Sequence, residues 1–183
     1  MFTSYTDFAS SDMNIRTEQM AHLRKAVDMA CLFGINIVRV TAGNWIDGIA
    51  EEEILRNIAD GLRGCLDYAE SRAVFLGLEN HPVVGTRNRD FLQILKRVND
   101  ARLKVNLDTS NPMVGGDDAV ELIEQIADRV VHVHTSDRSS DLQHCIEGTG
   151  EVNFPAVFSV LQSADYCGWL SLEATGKNAD EIQ

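Results

Sequence analysis

Four short apolar runs in this chain each end on a residue able to hold a metal ion, and that recurrence limits the fold more than any other feature. VFLGLE ends at Glu79, RLKVNLD at Asp108, RVVHVH at His134 and WLSLE at Glu173. Period-two alternation marks each run as a strand. One face carries Val74, Leu76 and Leu78, then Leu103, Val105 and Leu107, then Val131 and Val133, then Leu170 and Leu172. The other carries Glu79, then Lys104, Asn106 and Asp108, then His132 and His134, then Ser171 and Glu173.

Successive ligand types lie 29, 26 and 39 residues apart, enough each time for a strand, a helix and two loops. Helical spacing is plain at 51–71, with its acidic start Glu51-Glu52-Glu53, and at 88–98, 117–127 and 154–163, where Pro155 falls in the first turn. The alternation predicts an α/β fold with parallel strands. A sheet curled into a barrel would bring the four ligand types together at its C-terminal mouth.

The N-terminal third continues the pattern. Residues 4–9 read as the end of a strand, 16–33 as a helix closed by Gly34, and 36–41 as a strand with Arg39 facing away from Val38 and Val40. The longest irregular stretch, 135–151, has the polarity of an active-site loop. Residues beyond Glu173 start one more helix. No domain boundary interrupts 1–183, which reads as a single domain.

The bulk numbers exclude some classes. A formal net charge of −12 argues against nucleic acid and membrane surfaces, both polyanionic. No apolar stretch reaches the roughly 20 residues of a membrane span. Cys31, Cys65, Cys145 and Cys167 are widely separated with no CxxC pair, so free thiols and a cytoplasmic setting are expected.

With these strand ends laid out, the sequence resembles the xylose-isomerase-like superfamily of sugar isomerases, epimerases and dehydratases. The matching motifs are LGLENHP around Glu79, VNLDTSNP around Asp108, VHVHTSD around His134 and LSLEATG around Glu173, and the stretch 148–173 is similar to the family's linker before its last Glu. The resemblance implies a TIM (β/α)8-type barrel. Such a barrel takes about 250 residues, whereas only five strands and the remnant at 4–9 are countable here. The expectation is therefore a barrel incomplete at its N-terminus, lacking the first two strands. Open strand edges expose apolar surface, so the chain is expected to be a fragment or a homo-oligomer that completes the barrel by association.

The resemblance also implies one divalent metal ion, Mn²⁺, Mg²⁺, Co²⁺ or Zn²⁺, held by Glu79, Asp108, His134 and Glu173. The ion would polarise a sugar carbonyl, with Glu79 and Glu173 as base and acid on opposite faces of the neighbouring carbon. The expected substrate is a small sugar or sugar phosphate, bound by His81, Asn80, Asn111, Arg138 and Trp45, with Asn44 nearby. Many epimerases of the family have His where this chain has Asn111, and Arg where it has Ser140. Dehydration is the alternative within the same chemistry. An apurinic endonuclease is a rival within the same fold, and a non-catalytic binding module is a rival of another class. His132, one layer deeper than His134, reads as a hydrogen-bonded core histidine, and Phe75, Phe158 and Trp169 read as packing residues.

Overall fold

The structure, a computed structural model, describes residues 1–173. The expected helix beyond Glu173, and residues 174–176 of the LSLEATG motif, lie outside the described residues. Five βα-type repeats are evident. Strand β1 (Phe2–Thr3) leads to helix α1 (Met13–Leu32), β2 (Ile37–Val40) to α2 (Glu51–Ser71), and β3 (Phe75–Glu79) to α3 (Asn88–Val98). Strand β4 (Leu103–Asp108) is followed by α4 (Asn111–Val114) and α5 (Ala119–Ile126), then β5 (Val130–Thr135). A two-stranded ribbon, β6 (Asp137–Arg138) with β7 (His144–Cys145), precedes α6 (Phe154–Ser163) and β8 (Leu170–Leu172).

β1, β2, β3, β4, β5 and β8 form one parallel sheet in that order, curled into a half-barrel. The core lies between the sheet's outer face and the helices. Val38, Val40, Leu76, Leu78, Leu103, Val105, Leu107 and Val133 are buried there with Leu62, Leu66, Phe91, Ile94 and Ile123 of the helices. Burying such side chains stabilises by about 1.5–3 kcal/mol each. The aliphatic face of β2 to β5 is thereby fixed outward, and the polar face turns to the barrel interior; on the edge strand β8, Leu170 and Leu172 stay exposed. No helix among the described residues is long and apolar enough to cross a membrane.

Several expectations need correction. The first strand is Phe2–Thr3, and residues 4–9 only run beside β2. Thr41 breaks the ladder there, its hydroxyl taking the Thr6 N–H at 2.9 Å while Thr6 Oγ1 bonds the Thr41 carbonyl. Helix α1 starts earlier than residue 16, because Asp12 caps it by accepting from Asn14 N at 2.8 Å. The helix expected over 117–127 spans Ala119–Ile126, capped by Asp118, while Asp117 accepts from Asn88 N at the start of α3. The loop after β4 contains the turn of helix α4, and the stretch 135–151 contains the β6–β7 ribbon.

Val131 does not share the outer face with Val133. The register between β4 and β5 shifts, with Val105 opposite Val130 but Asn106 opposite His132, the signature of one extra residue in β5. Val133 is buried in the core, whereas a side chain placed on Gly77 would meet Val131 at 3.7 Å. Nor are the three aromatics packed as expected. Trp169 is 80% exposed, beside the edge strand β8, and Phe75 and Phe158 are also exposed.

Candidate metal centre at the mouth of the half-barrel

The interior face delivers the four ligand types to one place. Glu79 and Asp108 are the last residues of β3 and β4, His134 is the penultimate residue of β5, and Glu173 follows β8 directly. One ligand atom from each can be chosen so that all lie within 4.8 Å of one another. Three carboxylates and one imidazole so close would repel or protonate without a cation. The oxygen-rich set with one nitrogen suits a divalent ion of the Mg²⁺, Mn²⁺, Co²⁺ or Zn²⁺ kind, so the donor chemistry fits the metal.

Each ligand is held by neighbours. Glu79, fully buried, takes two N–H groups of Arg39 on Oε2, with Nε at 2.6 Å. Its Oε1 lies 2.7 Å from His134 Nδ1 and accepts from Asn106 Nδ2 at 3.0 Å. Asp108 Oδ1 accepts from the backbone of Ser110 and Asn111 at 2.9 and 2.7 Å and from the Ser136 hydroxyl at 2.9 Å. Glu173 is 51% exposed, and its Oε2 stands 3.3 Å from His134 Nδ1.

The electrostatics follow from this crowding. Burial raises the Asp108 carboxyl to about 6, against the lowering effect of its backbone and Ser136 hydrogen bonds. The hydrogen bond to His134 lowers Glu173 to about 2, although partial burial opposes it. Burial also disfavours the His134 imidazolium, yet hydrogen bonds to Glu173 and Glu79 outweigh it and hold the group at about 9. In the metal-free protein, a proton on His134 therefore does part of a cation's work. His132 contrasts with it. Buried, and 2.8 Å from Ser171 Oγ through Nε2, it is pushed down to about 4 by burial and by the neighbouring His134.

The expected substrate residues fall into three groups. His81 lines a polar cleft of about 330 Å³ with Tyr5, Asp7, Thr41 and Asn44, beyond the ends of β1 to β3. Its ring meets Tyr5 edge-on at 5.9 Å, and its Nδ1 lies 2.5 Å from the Pro82 carbonyl. Asn111 and Arg138 pair with each other on the far side, Arg138 Nη2 reaching Asn111 Oδ1 at 3.3 Å and His144 Nε2 at 2.7 Å. Asn80 and Trp45 are engaged with the protein itself. Asn80 is fully buried and spent on the Asp108 backbone, donating to its carbonyl at 2.8 Å and accepting from its N–H at 2.7 Å. Trp45 packs against the core beneath the Arg87 guanidinium, 5.5 Å from its ring centroid.

Sequence reasoning placed Arg39, Asn106 and Ser136 without giving them a role. For Arg39 and Asn106 a signal existed, since both alternate onto the ligand face of their strands. Ser136, two residues past His134, carried none.

The fold and site together define a parallel α/β half-barrel with an acidic, histidine-containing cluster at its C-terminal mouth. The chain belongs to the xylose isomerase-like TIM barrel family, whose model matches residues 1–183. It is 25% identical over 142 residues to the inosose dehydratase of Clostridium beijerinckii, covering 67% of this chain and 48% of that protein. To the L-ribulose-5-phosphate 3-epimerase of Escherichia coli it is 23% identical over 175 residues, covering 94% of this chain and 61% of that protein. The crystal structure of a D-tagatose 3-epimerase-like protein superposes with a TM-score of 0.85 at 25% identity, covering 98% of this chain and 72% of that one. The chain thus spans between 48% and 61% of the length of these two curated relatives.

Proposed function

We propose that this chain carries the metal centre of a sugar or sugar-phosphate isomerase or epimerase, which moves a proton next to a carbonyl through an enediolate. The observation that carries the reading is the convergence of Glu79, Asp108, His134 and Glu173, with ligand atoms within 4.8 Å, from four successive strands of the sheet. The bound ion, Mn²⁺, Mg²⁺, Co²⁺ or Zn²⁺, supplies Lewis acidity towards neighbouring carbonyl and hydroxyl oxygens. A carboxylate of the cluster takes the proton of the carbon beside the carbonyl. His81 contributes from the cleft of about 330 Å³, and the Asn111–Arg138 pair binds sugar hydroxyls or a phosphate from the opposite side. Dehydration is the second reading, favoured by the similarity to inosose dehydratase. It begins with the same proton abstraction.

Calorimetric titration of the metal-stripped chain with Mn²⁺ tests the site. One ion per chain is expected, lost in Glu79→Gln and in Asp108→Ala. Ketoses incubated with the loaded protein in deuterated water are expected to exchange a carbon-bound proton. A folded chain that takes up no metal would overturn the reading, and metal uptake without exchange would favour a non-catalytic binding module.

A further inference from the structure

The polar cleft of about 330 Å³ beyond the ends of β1 to β3 is built around Asp7, a residue without a role in the reading above. Asp7 belongs to the segment that runs beside β2, anchored by Ser4 N on the Arg39 carbonyl at 3.0 Å and by Phe8 N on the Ala42 carbonyl at 3.2 Å. Its own N–H donates to Gln19 Oε1 at 3.0 Å. Its carboxylate accepts from Ala9 N at 3.0 Å on Oδ1 and from Asn44 Nδ2 at 2.8 Å on Oδ2. Gly43 makes the room for it, since its φ is +130° and a Cβ there would run into Asp7 Oδ1. The cleft adjoins the metal centre. The Tyr5 ring that walls it lies 5.9 Å from the His81 ring and 4.7 Å from the guanidinium of Arg39, which is paired with Glu79.

What these groups have left to offer is mostly acceptors. A carboxylate has about four acceptor positions, and neighbours among the described residues take two of those on Asp7. Asn44 spends its amide N–H on Asp7 and keeps its carbonyl oxygen. His81 donates through Nδ1 to the Pro82 carbonyl at 2.5 Å, so Nε2 of the uncharged ring accepts. Gln19, whose oxygen is taken by Asp7, adds its amide NH₂ as the donor. Sugar hydroxyls can donate to such a set. A phosphate brings further acceptors and a negative charge beside Asp7, while Arg39, behind the Tyr5 ring, is spent on Glu79. Like charges set against each other in this way reject the wrong ligand.

Resting on the sugar chemistry argued above for the metal centre, we propose that this cleft receives the hydroxylated tail of the substrate and that Asp7 is a specificity-determining residue that rejects a phosphate there. The substrate class is then a ketose whose terminal hydroxyl is free. An anionic group, where the substrate has one, lies at its other end, towards Asn111 and Arg138.

Paired ligands test this on the Mn²⁺-loaded full chain: free ketoses, and the same ketoses phosphorylated on the terminal hydroxyl. Calorimetric binding and exchange of a carbon-bound proton in deuterated water are read for each. The free sugar is expected to be preferred by about tenfold or more. Asp7→Asn, which keeps the size and removes the charge, is expected to abolish most of that preference. Asn44→Lys, at an exposed position, sets an ammonium beside the intact Asp7 carboxylate and is expected to do the same. If Asp7→Asn fails to fold, Asn44→Lys decides. Equal or tighter binding of the phosphorylated sugar by the wild type, or an unchanged preference in the folded variants, would overturn the proposal alone and leave Asp7 as a turn residue. A wild type that takes up Mn²⁺ but neither binds nor exchanges a ketose of either kind would overturn the underlying sugar chemistry, and the proposal with it.

Discussion

Arg39 on β2 and Glu79 on β3 form an ion pair sealed inside the half-barrel, with both side chains almost wholly removed from solvent and Nε 2.6 Å from Oε2. Arg39 is opposite Gly77 in the strand register, so its side chain reaches over a residue with no side chain to meet the carboxylate two positions further along β3. Glu79 thus ends its strand already neutralised on one oxygen.

Breaking this pair from one side leaves a buried charge without compensation, at a cost of about 3–5 kcal/mol. Arg39→Met should therefore lower stability towards urea by about that amount. Combining it with Glu79→Leu should restore much of the loss, since a well-packed apolar pair often replaces a buried ion pair without penalty. A single variant within about 0.5 kcal/mol of the wild type would show that water reaches the carboxylate.

Ser136 supports the centre indirectly. Its hydroxyl lies 2.9 and 3.0 Å from the two oxygens of Asp108 and 2.6 Å from Ser110 Oγ. Removing a group that orients a metal ligand commonly costs about 10–100-fold in affinity. Ser136→Ala is expected to weaken Mn²⁺ binding by that factor while keeping one ion per chain. An unchanged dissociation constant would assign the orientation of Asp108 to the Ser110 and Asn111 amides alone.

Metal uptake should be coupled to proton release. At pH 7.5 in the metal-free chain, His134, held at about 9, is protonated, whereas Asp108 at about 6 and Glu173 at about 2 are largely ionised. A ligand imidazole is neutral, so about one proton should leave per ion bound, falling towards zero above about pH 10. Calorimetry in buffers of different ionisation enthalpy measures the number. The raised His134 value also sets a stability trend, because the folded chain binds this proton more tightly than the unfolded one. That contribution is fully present below about pH 6.5 and is lost as the pH rises through about 9 in the absence of metal.

Much of this centre was legible because alternation fixes which side chains share a strand face, and the core takes the aliphatic one. Glu79, Asp108, His134 and Glu173 were found that way, and Arg39 was placed on the proper face of β2. What alternation does not reveal is the partner across the sheet. Arg39 and Glu79 are 40 positions apart, and only the register of β2 on β3 joins them. The bulge in β5 was missed, because the adjacent valines Val130 and Val131, which interrupt the alternation of RVVHVH, do not by themselves show which residue is extra. Trp169 and Phe75 misled because aromatic residues are normally covered, whereas here they lie on the exposed edge and interior of an open half-barrel. Asn80 misled because an amide next to a ligand serves the backbone of the adjoining strand as readily as a substrate.

Asp137 is the largest structural feature that the sequence concealed, lying in a stretch that read simply as a polar loop. It is fully buried, and its carboxylate accepts four backbone N–H groups, from Arg138 and Gly148 at 2.9 Å, Gly150 at 2.8 Å and Val152 at 3.1 Å. The loop thereby closes on itself and presents Arg138 beside Asn111. Gly150 passes so close that a side chain there would meet the Arg138 carbonyl and the Asp137 carboxylate at 2.4 Å. Each buried donor left without an acceptor costs about 1–3 kcal/mol. Asp137→Ala is expected to destabilise the chain by at least about 2 kcal/mol and to open residues 138–152 to limited proteolysis. Gly150→Ala should open the same loop through the steric clash. Both variants should still bind one Mn²⁺, because the loop supplies no ligand. Unchanged protection of residues 138–152 in Asp137→Ala would mean that the ribbon of β6 and β7, and not the carboxylate, holds the loop in place.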